Sequence, residues 1–518
     1  MAERLDLRLG IDVGGTNTDT VVLDRDGRFL AKVKVPTTRD VMSGIAAGIA
    51  AIVGQVDASR ITHVMLGTTH ATNALLERRN LRQVAVIRIG SPATHAVRPL
   101  FGWPEDLRAA VSLGETIVPG GIEFDGREIV PFEPEAVRRF LDSLPGQPDG
   151  VAITSVFAPV SPQHELEAAE VVRKMLGDVD VSLSHELGSI GLLERENATV
   201  LNAALVSVAH GVSGALSGAL AEHGLSPVTF FAQNDGTLMA LEYALRYPVL
   251  TIGSGPANSI RGAAYLTGTD DAVVLDVGGT SSDIGVLANR FPRESSYGVE
   301  IGGVRTNFRM PDLVTIALGG GTVVSEHDGD VRVGPESVGY RITEEALVFG
   351  GHTPTLTDAA VAAGRTDLGD AERTRGCEPL LEAALRQADA MLADAIDRIK
   401  TARGDQPLVV VGGGSVLVPS ALTGVSAIHR PEHYEVANAV GAAIALVSGQ
   451  VDQIVHPGPG EREHLIGQLS REACDKAVQA GADPNAVEVV EIEEVPLAYL
   501  TTPAVRIRIR AAGPMGWV

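Results

Sequence analysis

Residues 11–19 read IDVGGTNTD and residues 275–283 read LDVGGTSSD, so the pattern D-V-G-G-T-x-[ST]-D recurs with Asp12 and Asp276 lying 264 residues apart. Each copy follows an apolar run, LRLG or AVVL, and precedes another, TVVLD or IGVLA. Apolar runs joined by a short glycine-bearing link predict a β-hairpin rather than a strand-to-helix turn. At its tip, paired glycines let the backbone approach a ligand and turn N–H groups toward it, and Thr and Ser hydroxyls add donors: a phosphate cradle. Asp12 and Asp276, at the strand ends, are placed to hold Mg²⁺ directly or through water. Two such hairpins predict two lobes that face each other across a cleft.

A third glycine cluster, LVVVGGGSVLVP at residues 408–419, again follows an apolar strand, and Gly412, Gly413 and Gly414 leave room for a flat purine or ribose. The chain contains neither G-x-x-x-x-G-K-[ST] nor a strand-linked G-x-G-x-x-G, which removes the P-loop and Rossmann readings.

The 518 residues are 45% hydrophobic and 21% charged, with 58 Gly against 11 Phe, 7 Tyr and 2 Trp, the composition of a Gly-rich α/β protein with a sizeable core. A net charge of −23 repels phosphate backbones and anionic lipid, so neither nucleic acid nor a membrane surface is an expected partner. Cys377 and Cys474 cannot build a disulfide framework or a four-thiolate metal site unaided. With no basic n-region and apolar h-region at the start, a cytoplasmic protein is expected.

Along the chain, LRLGIDVGG, TDTVVLD and FLAKVKV predict a β-meander, followed by alternating helices and strands. Ser161 and Pro162 predict an N-cap and first helical residue, with Leu166, Ala169, Val172 and Leu176 on the inner face of the helix that follows. An Ala-rich helix over residues 194–222 is expected to open a second large domain. A Pro/Gly loop at residues 456–461 precedes one helix and two strands. The resulting partition is 1–190 for one lobe, 191–455 for a second, and 456–518 for a small α/β appendage.

The segments GIDVGGTNTD, GTTHATNALLER (67–78), SPQHE (161–165), ERENATVLNA (194–203), NDGTLM (234–239), GSGPANS (253–259) and LDVGGTSSDIG together resemble the hydantoinase A/oxoprolinase family over nearly the whole chain. The resemblance implies two actin-like (ribonuclease H-like) lobes around an ATP cleft with Mg²⁺, and ATP-driven opening of a cyclic amide such as a hydantoin, 5-oxoproline or a lactam. Family phosphate-binding positions fall on Gly14, Gly15, Thr16, Asn17 and Thr18, and on Gly278, Gly279, Thr280, Ser281 and Ser282. The adenine side falls on Gly412, Gly413 and Gly414. Many relatives pair with a B-type subunit, so such a partner and an oligomeric assembly are expected here. A small-molecule kinase, or an ATP-switched reactivase or chaperone, are the alternatives within the same superfamily.

An unstrained amide carbonyl is a poor electrophile, and phosphorylating its oxygen makes a better one. Asp12 or Asp276 is then a candidate to orient an attacking water, with Asp19 and Asp283 supporting. Thr69, His70 and Asn73, at a loop-to-helix junction, are candidate substrate contacts. Asp235 is another, expected to face the cleft, with an Asx turn before Gly236 as the alternative. Arg195 suits an anion or an interdomain salt bridge. HRPEH (429–433) has Pro431 inside its apparent zinc spacing and reads as structural.

Overall fold

The computed structural model describes residues 6–36, 41–188, 190–295, 298–307, 310–458, 460–497 and 504–516. The meander forms as β1 (Leu7–Val13), β2 (Asn17–Leu23) and β3 (Phe29–Pro36), and β4 (Ile61–Thr68) lies parallel to β1. Next come β5 (Val84–Ser91), β6 (Ser112–Pro119), β7 (Gly150–Ser155) and β8 (Asp180–Leu183), an all-parallel sheet of their own in the order β6-β5-β7-β8. β9 (Val228–Ala232) and β10 (Leu238–Ala240) return to the first sheet. β11 (Ala272–Val277) and β12 (Ser282–Ala288) are the second copy of the repeat, an antiparallel hairpin like the first.

Among the described residues the first lobe is a nine-stranded sheet, and its far edge comes from the C-terminal part of the chain. Its order is Glu488–Leu497, Ala504–Gly513, Val447–Val455, β10, β9, β4, β1, β2, β3. The sequential partition at residues 190 and 455 is therefore corrected: the expected C-terminal helix forms as Arg462–Gln479 and both strands form, but they extend the first lobe's sheet. Residues 84–183 instead build the separate four-stranded sheet. Sequence order does not determine this, because a strand buried on both faces takes whichever partner the crossovers place beside it. In the second lobe, Gln406–Val411 runs parallel to β11, and Leu313–Ile316 pairs antiparallel with β12.

The long helix Leu192–Glu222 packs on β7 and on the helix Val41–Val53 of the first lobe, so it does not open the second lobe. By length and composition alone it could cross a membrane, yet Arg195, Glu196, Asn197 and Asn202 are buried along its first half. Glu196 receives two 2.7 Å bonds from the buried Arg88 of β5 and one from the Leu100 backbone N–H. That charge pair bolts the inserted sheet to the helix. In the helix Gln163–Leu176, Pro162 is the capping residue and Ser161 lies outside it. The buried face carries Glu165, Ala168, Ala169 and Val172, and Leu166 is exposed.

Two helices join the lobes at the base of the cleft. Ser254–Thr267 and Ala437–Ile444 cross so closely that a Cβ on Gly262 would lie 1.9 Å from Ala437 O, and one on Gly441 would lie 1.9 Å from Asn258 O. Only hydrogen fits at either crossing point, so the backbones touch.

Candidate nucleotide cleft

The alternation of a strand decides which residues of each hairpin face the cleft. On β2, Asn17 and Asp19 line it, and Thr18 between them points into the protein, beside the helix Val41–Val53 where Gly44 leaves it room. Ser281, just before β12, and Asp283 on it line the cleft, and Ser282 between them points away and donates 2.6 Å to Leu318 O. Thr18 and Ser282 are thus corrected from ligand contacts to supports beneath the tips, buried for the same geometric reason in both copies. The tips themselves have one turn: Gly14 N donates to Asn17 O at 3.0 Å and Gly278 N to Ser281 O at 2.9 Å. Thr16 reaches across and packs on Gly279, where a Cβ would lie 2.6 Å from Thr16 Oγ1.

Between the lobes lies a cavity of about 420 Å³ that brings together Asp12, Gly14, Gly15, Thr16, Asn17, Asp19 and Thr69 from one side. From the other come Asp276, Gly278, Gly279, Thr280, Ser281, Asp283 and Gly412, Gly413 and Gly414. Ile342, Phe349, Leu368 and Val416 line the cavity together with the glycines, which supplies apolar surface for a flat ring. The duplication reaches one strand further than the sequence repeat. Gly67, at the end of β4, would put a Cβ 2.4 Å from Asp12 Oδ1, and Gly412, at φ +87°, one 2.2 Å from Asp276 Oδ1. Each aspartate is packed against a glycine on the parallel strand beside it.

Hairpin register sets the electrostatics. Asp12 lies directly opposite Asp19, and Asp276 opposite Asp283. Withdrawal from water raises all four carboxyls: Asp12 to about 7, Asp19 and Asp283 to about 6, and Asp276 in the same direction. Repulsion from Asp19 adds to the rise at Asp12, and repulsion from Asp276 to that at Asp283. Asp12 Oδ1 is buried without a hydrogen-bond partner. Asp12 Oδ2 accepts from Asn438 Nδ2 at 3.3 Å, and Ser259 Oγ lies 2.5 Å from Asp276 Oδ2 and 2.7 Å from Asn438 Oδ1. Asn438 and Ser259 come from the two crossing helices, so the crossing ties the two aspartates together.

Lys34, opposite Asp19 on β3, pairs with it at 2.5 Å and holds its carboxyl below where burial alone would put it. Replacing Lys34 by methionine removes that restraint. The acid limb of nucleotide turnover is then expected to move to higher pH, with turnover at pH 7 down about tenfold or more. A pH–rate profile superimposable on wild type would rule Lys34 out of the site. Neither Lys34 nor Asn438 was among the residues expected from the sequence. Lys34 was accessible through the alternation of AKVKV and the register of the hairpin; Asn438 sits in an alanine-rich stretch with no local signal.

A divalent cation fits these residues: the donors are hard carboxylate oxygens, one of them unsatisfied, in a cluster of four acids facing one lysine. Among the described residues no set of three His, Cys, Asp or Glu side chains could enclose such an ion. It would rest on Asp12 and Asp276, with the remaining ligands from phosphate and water.

Of the candidate substrate contacts, only Thr69 lines the cleft. Thr69 lines the cleft and donates to Val13 O at 3.2 Å, and Asn73 stands behind it, 3.4 Å from Thr69 Oγ1. His70 turns away, bonded to Thr68 Oγ1, and lines a narrow apolar hollow with Leu205, Val212 and Phe231. As the first residue of the helix His70–Glu77 it points at the long helix rather than at the hairpins. Asp235 forms the Asx turn, accepting from Thr237 N at 2.9 Å, and lines a separate polar cavity. Arg195 is buried, donating to Ser184 Oγ at 2.9 Å and Ser155 O at 2.5 Å. It anchors the inserted sheet and does not reach the cleft.

Two lobes, each presenting a D-V-G-G-T hairpin to a shared cleft, define an actin-like α/β fold. The chain matches the hydantoinase/oxoprolinase N-terminal region over residues 8–176 and the hydantoinase/oxoprolinase model over residues 195–396, and it belongs to that family. It is 29% identical over 454 residues to the caprolactamase subunit alpha of Pseudomonas jessenii, covering 79% of this chain and 65% of that one. It is 26% identical to 5-oxoprolinase 1 of Arabidopsis thaliana, covering 69% of this chain and 31% of that one. The chain thus spans just under two thirds of the first of these relatives and under a third of the second. The crystal structure of the ATP-dependent caprolactamase from Pseudomonas jessenii superposes with a TM-score of 0.74 at 21% identity, over 98% of this chain and 88% of that one. Nucleotide-free acetone carboxylase gives 0.70 at 16%, over 99% and 88%.

Proposed function

We propose that the chain binds ATP in this cleft and uses it to open a cyclic amide such as a hydantoin, 5-oxoproline or a lactam by phosphorylating the ring carbonyl oxygen. The observation that carries the reading is the pair of Gly-Gly-Thr tips facing each other above four desolvated carboxylates. The family membership and the ATP-dependent relatives support it.

The backbone N–H groups of the two tips cradle the phosphates, and the apolar wall by Gly412–Gly414 takes the adenine. As the carbonyl oxygen attacks the γ-phosphorus, ADP leaves with the bonding electrons, and the tips hold the transferring group in line. Asp12 and Asp276 are the residues that would hold Mg²⁺, which would supply positive charge against the phosphates in a protein that otherwise repels anions. Asn438 and Ser259 keep the two carboxylates oriented, and Asp19 with Lys34 sets the charge of the opposite strand. Water, admitted here or in a B-type partner subunit, then adds to the activated ring carbon; the C–N bond breaks as the nitrogen takes up a proton, and a second water hydrolyses the resulting acyl phosphate to carboxylate and free phosphate.

Phosphate release from Mg-ATP, followed together with ring-opened product across hydantoin, 5-oxoproline and simple lactams, tests the reading. At least one amide is expected to stimulate release about tenfold or more. Stimulation without ring opening assigns the second half-reaction to a partner. Labelled phosphate retained in a stable product would replace this reading by a kinase, and stimulation by a protein but by no amide would replace it by a reactivase.

A further inference from the structure

The chain returns from the second lobe to the first through residues 430–436. They lie between Val425–His429, the edge strand beside Gln406–Val411, and the helix Ala437–Ile444, which packs on β1, β2 and β4. This short connection reaches three things at once. Tyr434 O accepts from Gly412 N at 2.9 Å, in the glycine loop on the proposed adenine side. Asn438, in the first turn of the helix, donates to Asp12. Between them, Glu435 and His433 meet β3 of the first lobe. Lys32 Nζ lies 2.5 Å from Glu435 Oε1 and 2.9 Å from His433 Nδ1, and the rings of Phe29 and His433 stand 4.1 Å apart. Register explains why β3 can do this. Phe29 lies opposite Leu23, Lys32 opposite Val21 and Lys34 opposite Asp19, and the irregularity between Val22 and Leu23 leaves Leu30 unpaired. Phe29, Lys32 and Lys34 therefore share one face, the face of Asp19. A Cβ on Gly413 would lie 3.9 Å from Lys34 Nζ, so the same face that restrains Asp19 also meets the second lobe.

We infer that Lys32, with Glu435 and His433, latches the connection between the lobes, and that Lys32 is a positioning residue for the nucleotide. Lys32 does not line the cleft. It acts through Glu435 and His433, which flank the residue that holds Gly412, and so keeps the glycine loop closed against the first lobe. His433 sits at φ +66°, a conformation that a residue with a Cβ keeps only where its surroundings compensate, and hinges concentrate their rotation in a few such residues between elements. The side chains of Lys32 and Glu435 are 38% and 30% exposed, and a pair of that exposure inside one lobe would add little to stability. Here its partners move apart when the lobes do, because Tyr434 travels with Gly412. The whole interaction is then set against opening, and opening is the step through which ADP leaves. The inference rests on the reading of the cleft as a nucleotide site.

The test is the rate at which mant-ADP leaves the full chain in the presence of Mg²⁺ when chased with unlabelled ADP. Lys32→Met is expected to release it about three- to fivefold faster, the range that an ion pair of this exposure supports, with the thermal midpoint of the ligand-free protein unchanged. Lys32→Arg keeps the cation and is expected to stay near the wild-type rate. Lys32→Glu combined with Glu435→Lys reverses the pair and is expected to release more slowly than either single reversal, a rescue that loss of packing alone would not produce. A wild-type rate in Lys32→Met, or a reversed pair no slower than its single variants, overturns the latch. Failure of the nucleotide reading looks different: the wild-type chain then binds no mant-ADP, and the latch falls with it.

Discussion

Asp12→Asn is expected to make the ligand-free protein more stable at pH 8 while lowering nucleotide turnover by at least about a hundredfold. The carboxyl of Asp12 is raised to about 7, first by desolvation and then by the facing Asp19, against an ordinary value of about 3.9 in the unfolded chain. A raised carboxyl favours the folded state in its protonated form. That contribution is complete below about pH 4 and is lost as pH rises through about 7. Above that, the ligand-free protein carries a buried carboxylate whose Oδ1 has no partner, at a cost on the order of 3–4 kcal/mol. Asparagine carries no such charge. Urea midpoints of the two proteins, free of nucleotide and divalent ions, should therefore converge near about pH 4.5 and separate by about pH 8, with the variant the more stable. Parallel curves, or a variant less stable at pH 8, would show that Asp12 is not strained by its charge. Stability is given up here to keep a carboxylate facing the ligand.

Gly441→Ala should be strongly destabilising. Its Cβ would lie 1.9 Å from Asn258 O and 2.6 Å from the carbonyl carbon, both backbone atoms that no rotamer change can move. Relief requires the two crossing helices to separate, which costs about 3 kcal/mol or more. Separation also draws Asn438 from Asp12 and Ser259 from Asn438, so ADP affinity should fall with stability. Gly214→Ala is the control: it lies in the long helix with nothing within 4 Å of its Cβ, and is expected to stabilise by a few tenths to about 1 kcal/mol. Equal denaturation midpoints for the two variants would refute the crossing as a tight joint.

Much of the site was legible because its signals are local. The repeat fixes two hairpins, and hairpin register alone places Asp19 opposite Asp12 and Asp283 opposite Asp276. The same alternation, applied one residue at a time, also excludes Thr18 and Ser282 from the cleft. What the sequence did not reveal depends on contacts distant along the chain. Asn438 reaches Asp12 across 426 residues through a helix crossing, and His185 meets Glu165 only after β7 and β8 pair. The C-terminal strands looked like a separate unit because their alternation describes a half-exposed sheet and names no neighbour. Asp235 forms the Asx turn that its motif allowed and lines a cavity apart from the cleft, which the motif could not tell, since such a turn looks the same wherever the loop goes.

The nine-stranded sheet also sets an order of events during synthesis. Second-lobe strands β11, β12 and Gln406–Val411 are all synthesised before Val447–Val455. The first lobe, begun at Leu7, waits for Val447–Val455 before the edge beside β10 is covered, and for Ala504–Gly513 before that strand is covered in turn. In the interval the nascent chain presents an unpaired strand edge and an unfilled core, the state in which polypeptides aggregate or recruit chaperones. The lobe that starts first is the one completed last.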